Sequence, residues 1–134
     1  MHEPILSLPA LQTNPEPEKK LYIVEDEGFG LKIGQGRPHS RLGHFQTGNA
    51  RPLRIVHVEE TEFHAKVVET AVHDILAAHH IRGEWYDVTL DQVKAAIRQA
   101  TDQIWWDIDR RVLGEAWANK MREHRRDTAE RYSA

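Results

Sequence analysis

The sequence predicts an α/β domain of the α+β kind: a small mixed, mainly antiparallel three-stranded sheet flanked by helices, with a C-terminal helical extension. Three observations predict it. Two short apolar pieces, Leu21-Tyr22-Ile23-Val24 and Leu31-Lys32-Ile33-Gly34, flank an acidic turn that holds Gly28 and Gly30, the pattern of a β-hairpin. A third piece, PLRIVHV at 52–58, alternates as a strand does. Between and after these pieces, apolar residues recur at helical spacing, so the order reads β-β-α-β-α-β-α, one sheet with helices packed on it.

The totals bound the rest. With 134 residues, 40% of them apolar, the chain has room for one core and none to spare for a second. There is no cysteine, which excludes disulfide scaffolding, thiolate metal sites and cysteine nucleophiles. The longest apolar runs fall far short of a membrane span, and MHEPILSLPALQTNPEPEKK lacks the basic start and long apolar stretch of a signal peptide. An intracellular, cytoplasmic location and no membrane partner are expected.

Element by element, Pro4, Pro9, Pro15 and Pro17 make residues 1–18 an extended or disordered arm, and the folded domain is expected over 19–100. Strands fall at 20–25 and 30–34. Pro38 suits a first helical turn and Gly48 a helix stop, which gives a short helix between them. After the 52–58 strand, Thr61 can cap a helix running to about His79, with Phe63, Val67, Val68, Ala71, Val72, Ile75 and Leu76 on its apolar face. GEWYDV at 83–88 ends that unit as a short strand or extended segment. Thr89 or Asp91 can cap a further helix through LDQVKAAIRQA, and the pattern continues towards Arg126. In the extension, 101–134, Trp105, Ile108, Val112 and Ala116 share one helical face, with Trp106, Leu113, Trp117 and Met121 beside it. That stripe is too wide for an isolated solvated helix, so it either packs back on the domain or forms a homodimer or partner interface through the Trp105–Trp117 helix.

A net charge of −3 argues against a protein that coats nucleic acid. Its distribution is uneven. From Leu31 to Val58 the chain carries Lys32, Arg37, Arg41, Arg51 and Arg54, with His39, His44 and His57, and no Asp or Glu. Such a run attracts phosphate, or it is a solvated face whose acids lie elsewhere in space.

Taken in order, LYIV, LKIG, SRLGHFQTGN, PL, VVETAVHDIL and RGEWYDV resemble the GIY-YIG nuclease superfamily, in particular its phage and bacterial subgroup with a KIG second strand. The resemblance runs from Leu21 to Val88. It implies an endonuclease of bacterial or phage origin that hydrolyses DNA phosphodiesters with Mg²⁺ or Mn²⁺. In that reading Tyr22 is the tyrosine of the first signature strand and acts as general base. Lys32 takes the place of the second tyrosine, where an ammonium would favour a neighbouring phenolate, contact phosphate, or do both. Arg41 is the catalytic arginine, a fork of donors for the scissile phosphate. Glu69 is the metal carboxylate, sufficient for an ion that keeps much of its hydration. His73, four residues on along the same helix, is an active-site hydrogen-bonding or proton-transfer group. Arg37, Asn49, Arg51 and Arg54 are expected on DNA.

Residue by residue the plainer readings stay open. Glu62, Lys66, Glu69 and His73 form one polar stripe that a solvated helix would also show, with Glu62 and Lys66 paired. A zinc site from Glu69, His73 and His80 is geometrically conceivable, although it lacks a fourth ligand and the H-E-x-x-H pattern. Glu84 has no assigned role. Two other functions remain: a non-catalytic DNA-binding or phage/host accessory module on the same fold, and an interaction protein that works through its Trp-rich helix.

Overall fold

A computed structural model describes residues 16–133 of the chain. Most of the expected N-terminal arm lies outside the described residues. The elements run β1 (Lys20–Asp26), β2 (Gly30–Gly36), α1 (Pro38–Thr47), β3 (Leu53–Glu59), α2 (Ala65–Ile75), a 3₁₀ turn (Ala77–His79), β4 (His80–Arg82), β5 (Trp85–Tyr86), α3 (Leu90–Leu113) and α4 (Glu115–Ser133). The mixed α+β class is as expected, and the sheet has five strands in the order β3-β1-β2-β5-β4, every neighbouring pair antiparallel. Three strands carried a readable pattern. The two additional ones are three and two residues long, too short to show a period.

Alternation along the hairpin builds two apolar layers. Leu21, Ile23, Leu31 and Ile33 point to one face, where Val68 and Val72 of α2 and Val93, Ala96, Ile97 and Ala100 of α3 cover them. Tyr22 and Val24 point to the other, under Leu42 and Phe45 of α1, with Leu53, Ile55 and Trp85. The sheet is therefore sandwiched, α1 on one side and α2 with α3 on the other.

Two helix boundaries differ from the sequence reading. The cap of α2 is His64, whose Nδ1 accepts the Lys66 N–H at 3.1 Å, whereas the Thr61 hydroxyl donates to the Phe63 carbonyl at 2.6 Å. The helix starts four residues later than Thr61 would dictate. At the other end, Thr89 caps α3 in a full capping box with Gln92. This helix runs unbroken through residue 101 and stops at Gly114, whose φ of +86° is left-handed territory, so α4 folds back.

The tryptophan stripe is mostly used inside the chain. Trp105 meets Phe63 edge-on at 5.2 Å, donates to Glu62 at 3.0 Å and lies under the Arg125 guanidinium. Trp106 donates to Asn119 of α4 at 3.1 Å, Ile108 is buried, and Arg125 pairs with Asp109 across the helical hairpin. Val112, Leu113 and Trp117 stay exposed at its tip. No helix among the described residues is long and apolar enough to cross a membrane.

Candidate active site

Tyr22 is seated by a glycine. It faces Gly34 across β1 and β2, and a Cβ at position 34 would lie 2.6 Å from both Cζ and the hydroxyl of Tyr22. Space, not backbone freedom, is what keeps this residue a glycine. Gly34→Ala is expected to cost about 1–3 kcal/mol, the scale of overpacking a core, and to displace the Tyr22 ring. Chemical denaturation and near-ultraviolet circular dichroism would register both, and an unperturbed variant would mean that the contact is softer than its distance indicates.

Two residues on, Gly36 combines a φ of +137° with a tight neighbour: a Cβ there would stand 3.4 Å from Nε of Arg41. The two glycines thus clear a lane on the α1 face in which the Tyr22 phenol and the Arg41 guanidinium meet. Burial pushes the Tyr22 hydroxyl up to about 12, Arg41 pulls against it, and the charges of Glu84 and Glu69 add to the rise. Tyr22 is 1% exposed. At neutral pH it is a phenol.

Lys32 is aimed elsewhere, which corrects its expected role as tuner of Tyr22. The register places it opposite Val24, not Tyr22. Its ammonium lies 3.1 Å from a Glu84 carboxylate oxygen and 4.4 Å from the centre of the Phe45 ring. The cation beside the phenol is Arg41, and the phenol's proton is held more tightly than usual, not less.

Round the outer edge of β2 a second group of side chains converges. Ile33 turns its backbone away from β1. Its N–H donates to the Glu84 carbonyl at 3.0 Å, and its C=O pairs with Nε2 of His73 at 3.0 Å. His73 and Glu69 sit four residues apart on α2, hence on one face. Donor atoms of Glu69, His73 and Glu84 all lie within 4.8 Å of one another. This set fits a divalent metal ion, since two carboxylates and an imidazole supply its usual donors.

Glu69 does not lie on a solvated stripe. It is 2% exposed, and Lys66 pairs with it at 3.1 Å instead of with Glu62. Burial raises the Glu69 carboxyl above the usual range and Glu84 adds to the rise, against the pull of Lys66 and His73. His80 is exposed and bonded to the Gly83 carbonyl at 2.9 Å, so the zinc set of Glu69, His73 and His80 is not the one assembled. Its third member is Glu84, which the sequence placed in the GEWY segment but gave no partner.

The expected DNA contacts divide. Arg51 grips the buried Asp26 through Nε at 2.7 Å and a terminal nitrogen at 3.0 Å, and Asn49 donates to the Arg51 carbonyl at 2.8 Å and to Asp26 at 3.4 Å. Both residues secure the loop between α1 and β3, which corrects their reading as DNA contacts. Arg54 pairs with Glu25 at 2.5 Å on the face opposite Tyr22, beside Leu31, Val56 and Leu90, and is corrected likewise. Arg37, 68% exposed, is loosely paired with Glu18 at 3.9 Å and stays open to solvent. Of the five basic residues in the acid-free run, Arg41 alone forms no ion pair among the described residues.

Arg51→Ala is accordingly expected to lower stability while leaving DNA affinity and its salt dependence unchanged. Arg51 holds the Asp26 carboxyl below its usual range, so the stabilisation is complete above the unfolded carboxylate value and is lost as pH falls through the folded one. The gap in denaturation midpoint between wild type and variant should narrow from pH 7 to pH 3. A fall in DNA affinity without loss of stability would return Arg51 to the DNA surface.

Comparison with known families corrects the resemblance drawn from the motifs. The family model that matches is the T5orf172 domain, over residues 19–101, a different family from GIY-YIG. No curated protein and no solved structure gives a significant match. The chain belongs to the T5orf172 domain family, which is associated with nuclease-like, DNA-binding domains of phages and bacteria.

Proposed function

We propose that the chain is an endonuclease that hydrolyses DNA phosphodiester bonds with a divalent metal ion, Mg²⁺ or Mn²⁺, at the site formed by Tyr22, Arg41 and Glu69. The observation that carries the reading is the convergence of an arginine with no carboxylate partner, a buried phenol and a buried carboxylate around the glycine lane of β2. Hydrolysis of a phosphodiester needs charge stabilisation on the phosphoryl oxygens and a path for the proton of the attacking water. Arg41 supplies the first: its guanidinium, unspent on any acid, donates a fork of hydrogen bonds to phosphate. Tyr22, in contact with Arg41, supplies the second by taking the proton of the water beside the same phosphate. Glu69, with His73 and Glu84 within reach, holds the metal, which when bound supplies Lewis-acid polarisation of the phosphoryl group. Lys32 fixes the Glu84 carboxylate, and Arg37 extends the positive surface along the substrate.

The test is direct. Purified full-length chain is incubated with supercoiled plasmid, linear duplex, single-stranded and branched DNA in Mg²⁺ or Mn²⁺. Nicking or linearisation that a chelator stops is the expected result. No cleavage of any form overturns the reading and leaves a DNA-binding module that does not turn over.

A further inference from the structure

We propose that the metal site selects a first-row transition dication, Mn²⁺ over Mg²⁺, through three protein donors: a carboxylate oxygen of Glu69, Nδ1 of His73 and a carboxylate oxygen of Glu84. The proposal deepens the reading of Glu69 as the metal carboxylate and rests on it.

The histidine decides the metal. Its Nε2 lies 3.0 Å from the Ile33 carbonyl, and a carbonyl oxygen only accepts, so Nε2 carries the proton of the neutral ring. The lone pair is then on Nδ1. A backbone carbonyl that fixes the far nitrogen of an imidazole is the usual outer support of a metal-bound histidine. Glu84 is referenced to the same residue, because its own carbonyl accepts the Ile33 N–H at 3.0 Å. One residue of β2 thereby orients two of the three donors. Their separations suit an ion: bonds of about 2.1 Å put donor atoms about 3 to 4.2 Å apart, and these already lie within 4.8 Å of one another.

Charge points the same way. Each carboxylate is shared with a lysine, Glu69 with Lys66 at 3.1 Å and Glu84 with Lys32 at 3.1 Å, which weakens the purely electrostatic hold on a cation. Mg²⁺ depends on that hold and gains little from imidazole nitrogen, whereas Mn²⁺ and the later divalent ions accept nitrogen readily.

The test reads binding, not turnover. Metal-free full-length protein is titrated with Mn²⁺, free ion being followed by electron paramagnetic resonance, and Mg²⁺ is then added as competitor. One Mn²⁺ per chain is expected, with Mg²⁺ displacing it only at about 100-fold or greater excess, and pulsed spectra of the Mn²⁺ complex should show coupling to one imidazole nitrogen. His73→Gln should remove that coupling and weaken Mn²⁺ binding about tenfold or more while changing Mg²⁺ binding little. Glu84→Gln should weaken both ions. Should a variant fail to fold, the nitrogen coupling in the wild type still decides. Absence of that coupling, or equal affinity for the two ions, overturns the proposal even if DNA is cut. Coupling and selectivity without DNA cleavage under any condition sustain it and overturn the endonuclease reading instead.

Discussion

Glu69→Gln will reduce metal-dependent DNA cleavage by about 10³-fold or more, the scale of removing several kcal/mol of charge stabilisation, and will leave the metal-free protein at least as stable as wild type at neutral pH. The two halves of that result have one cause. Glu69 is 2% exposed, and burial lifts its carboxyl above the range it has in the unfolded chain. A carboxyl raised in the folded state binds more protons there than in the unfolded state, so stability falls as pH rises through that window and stays lowered above it. Gln keeps the shape and can still accept from Lys66, but it does not titrate. Urea denaturation in chelator at pH 4 and pH 7 should therefore show the Gln variant gaining on wild type towards pH 7. Lys66 is 62% exposed and returns to solvent at little cost when its partner loses charge. Parallel stability profiles would show that Glu69 is better compensated than its burial indicates, and undiminished cleavage would remove it from the mechanism.

What the sequence showed and what it hid follow from range. The hairpin, the Pro38–Thr47 helix and the Thr89 cap are decided within a few residues, and all three stand as the local pattern indicated. The face of Glu69 and His73 was also legible, because a spacing of four fixes it on any helix. Their burial was not. It depends on α2 lying against the edge of β2, and a polar stripe looks the same whether it meets water or a strand. Glu84 was out of reach for the same reason: β5 joins β2 across more than fifty residues of chain, through two residue pairs. Lys32 shows how register overrides intuition. Equal depth in two strands does not make two residues partners, and the hairpin pairs Tyr22 with Gly34. The acid-free basic run resolved largely into its plainer reading, since Glu84, Asp26 and Glu25 arrive in space beside Lys32, Arg51 and Arg54. That leaves Arg41 as the cation with charge to spare.

Tyr22→Phe will lower cleavage by about 10²- to 10⁴-fold, the range for losing a positioned proton-transfer group, while the ring goes on filling the space over Gly34. The pH profile is the sharper test. With its hydroxyl pushed up to about 12, Tyr22 is ionised only to the order of 10⁻⁵ at pH 7. If the phenolate takes the proton of the attacking water, the wild-type rate should climb about tenfold per pH unit from pH 6.5 to 9.5 with no plateau, because the group stays far from half-ionised throughout. The Phe variant should lose that slope together with the rate. A plateau near pH 8 would mean that a less basic group accepts the proton. Arg41 supplies a second check: it is the cation that pulls the Tyr22 proton off, so replacing it with Gln should push the alkaline limb higher still, beyond the loss of rate that its phosphate contact explains. Lys32, held by Glu84 on the far side of Phe45, has no such lever on the phenol. An Arg41 variant that cuts slowly with an unmoved limb would separate phosphate binding from tuning and leave Tyr22 to be set by burial alone.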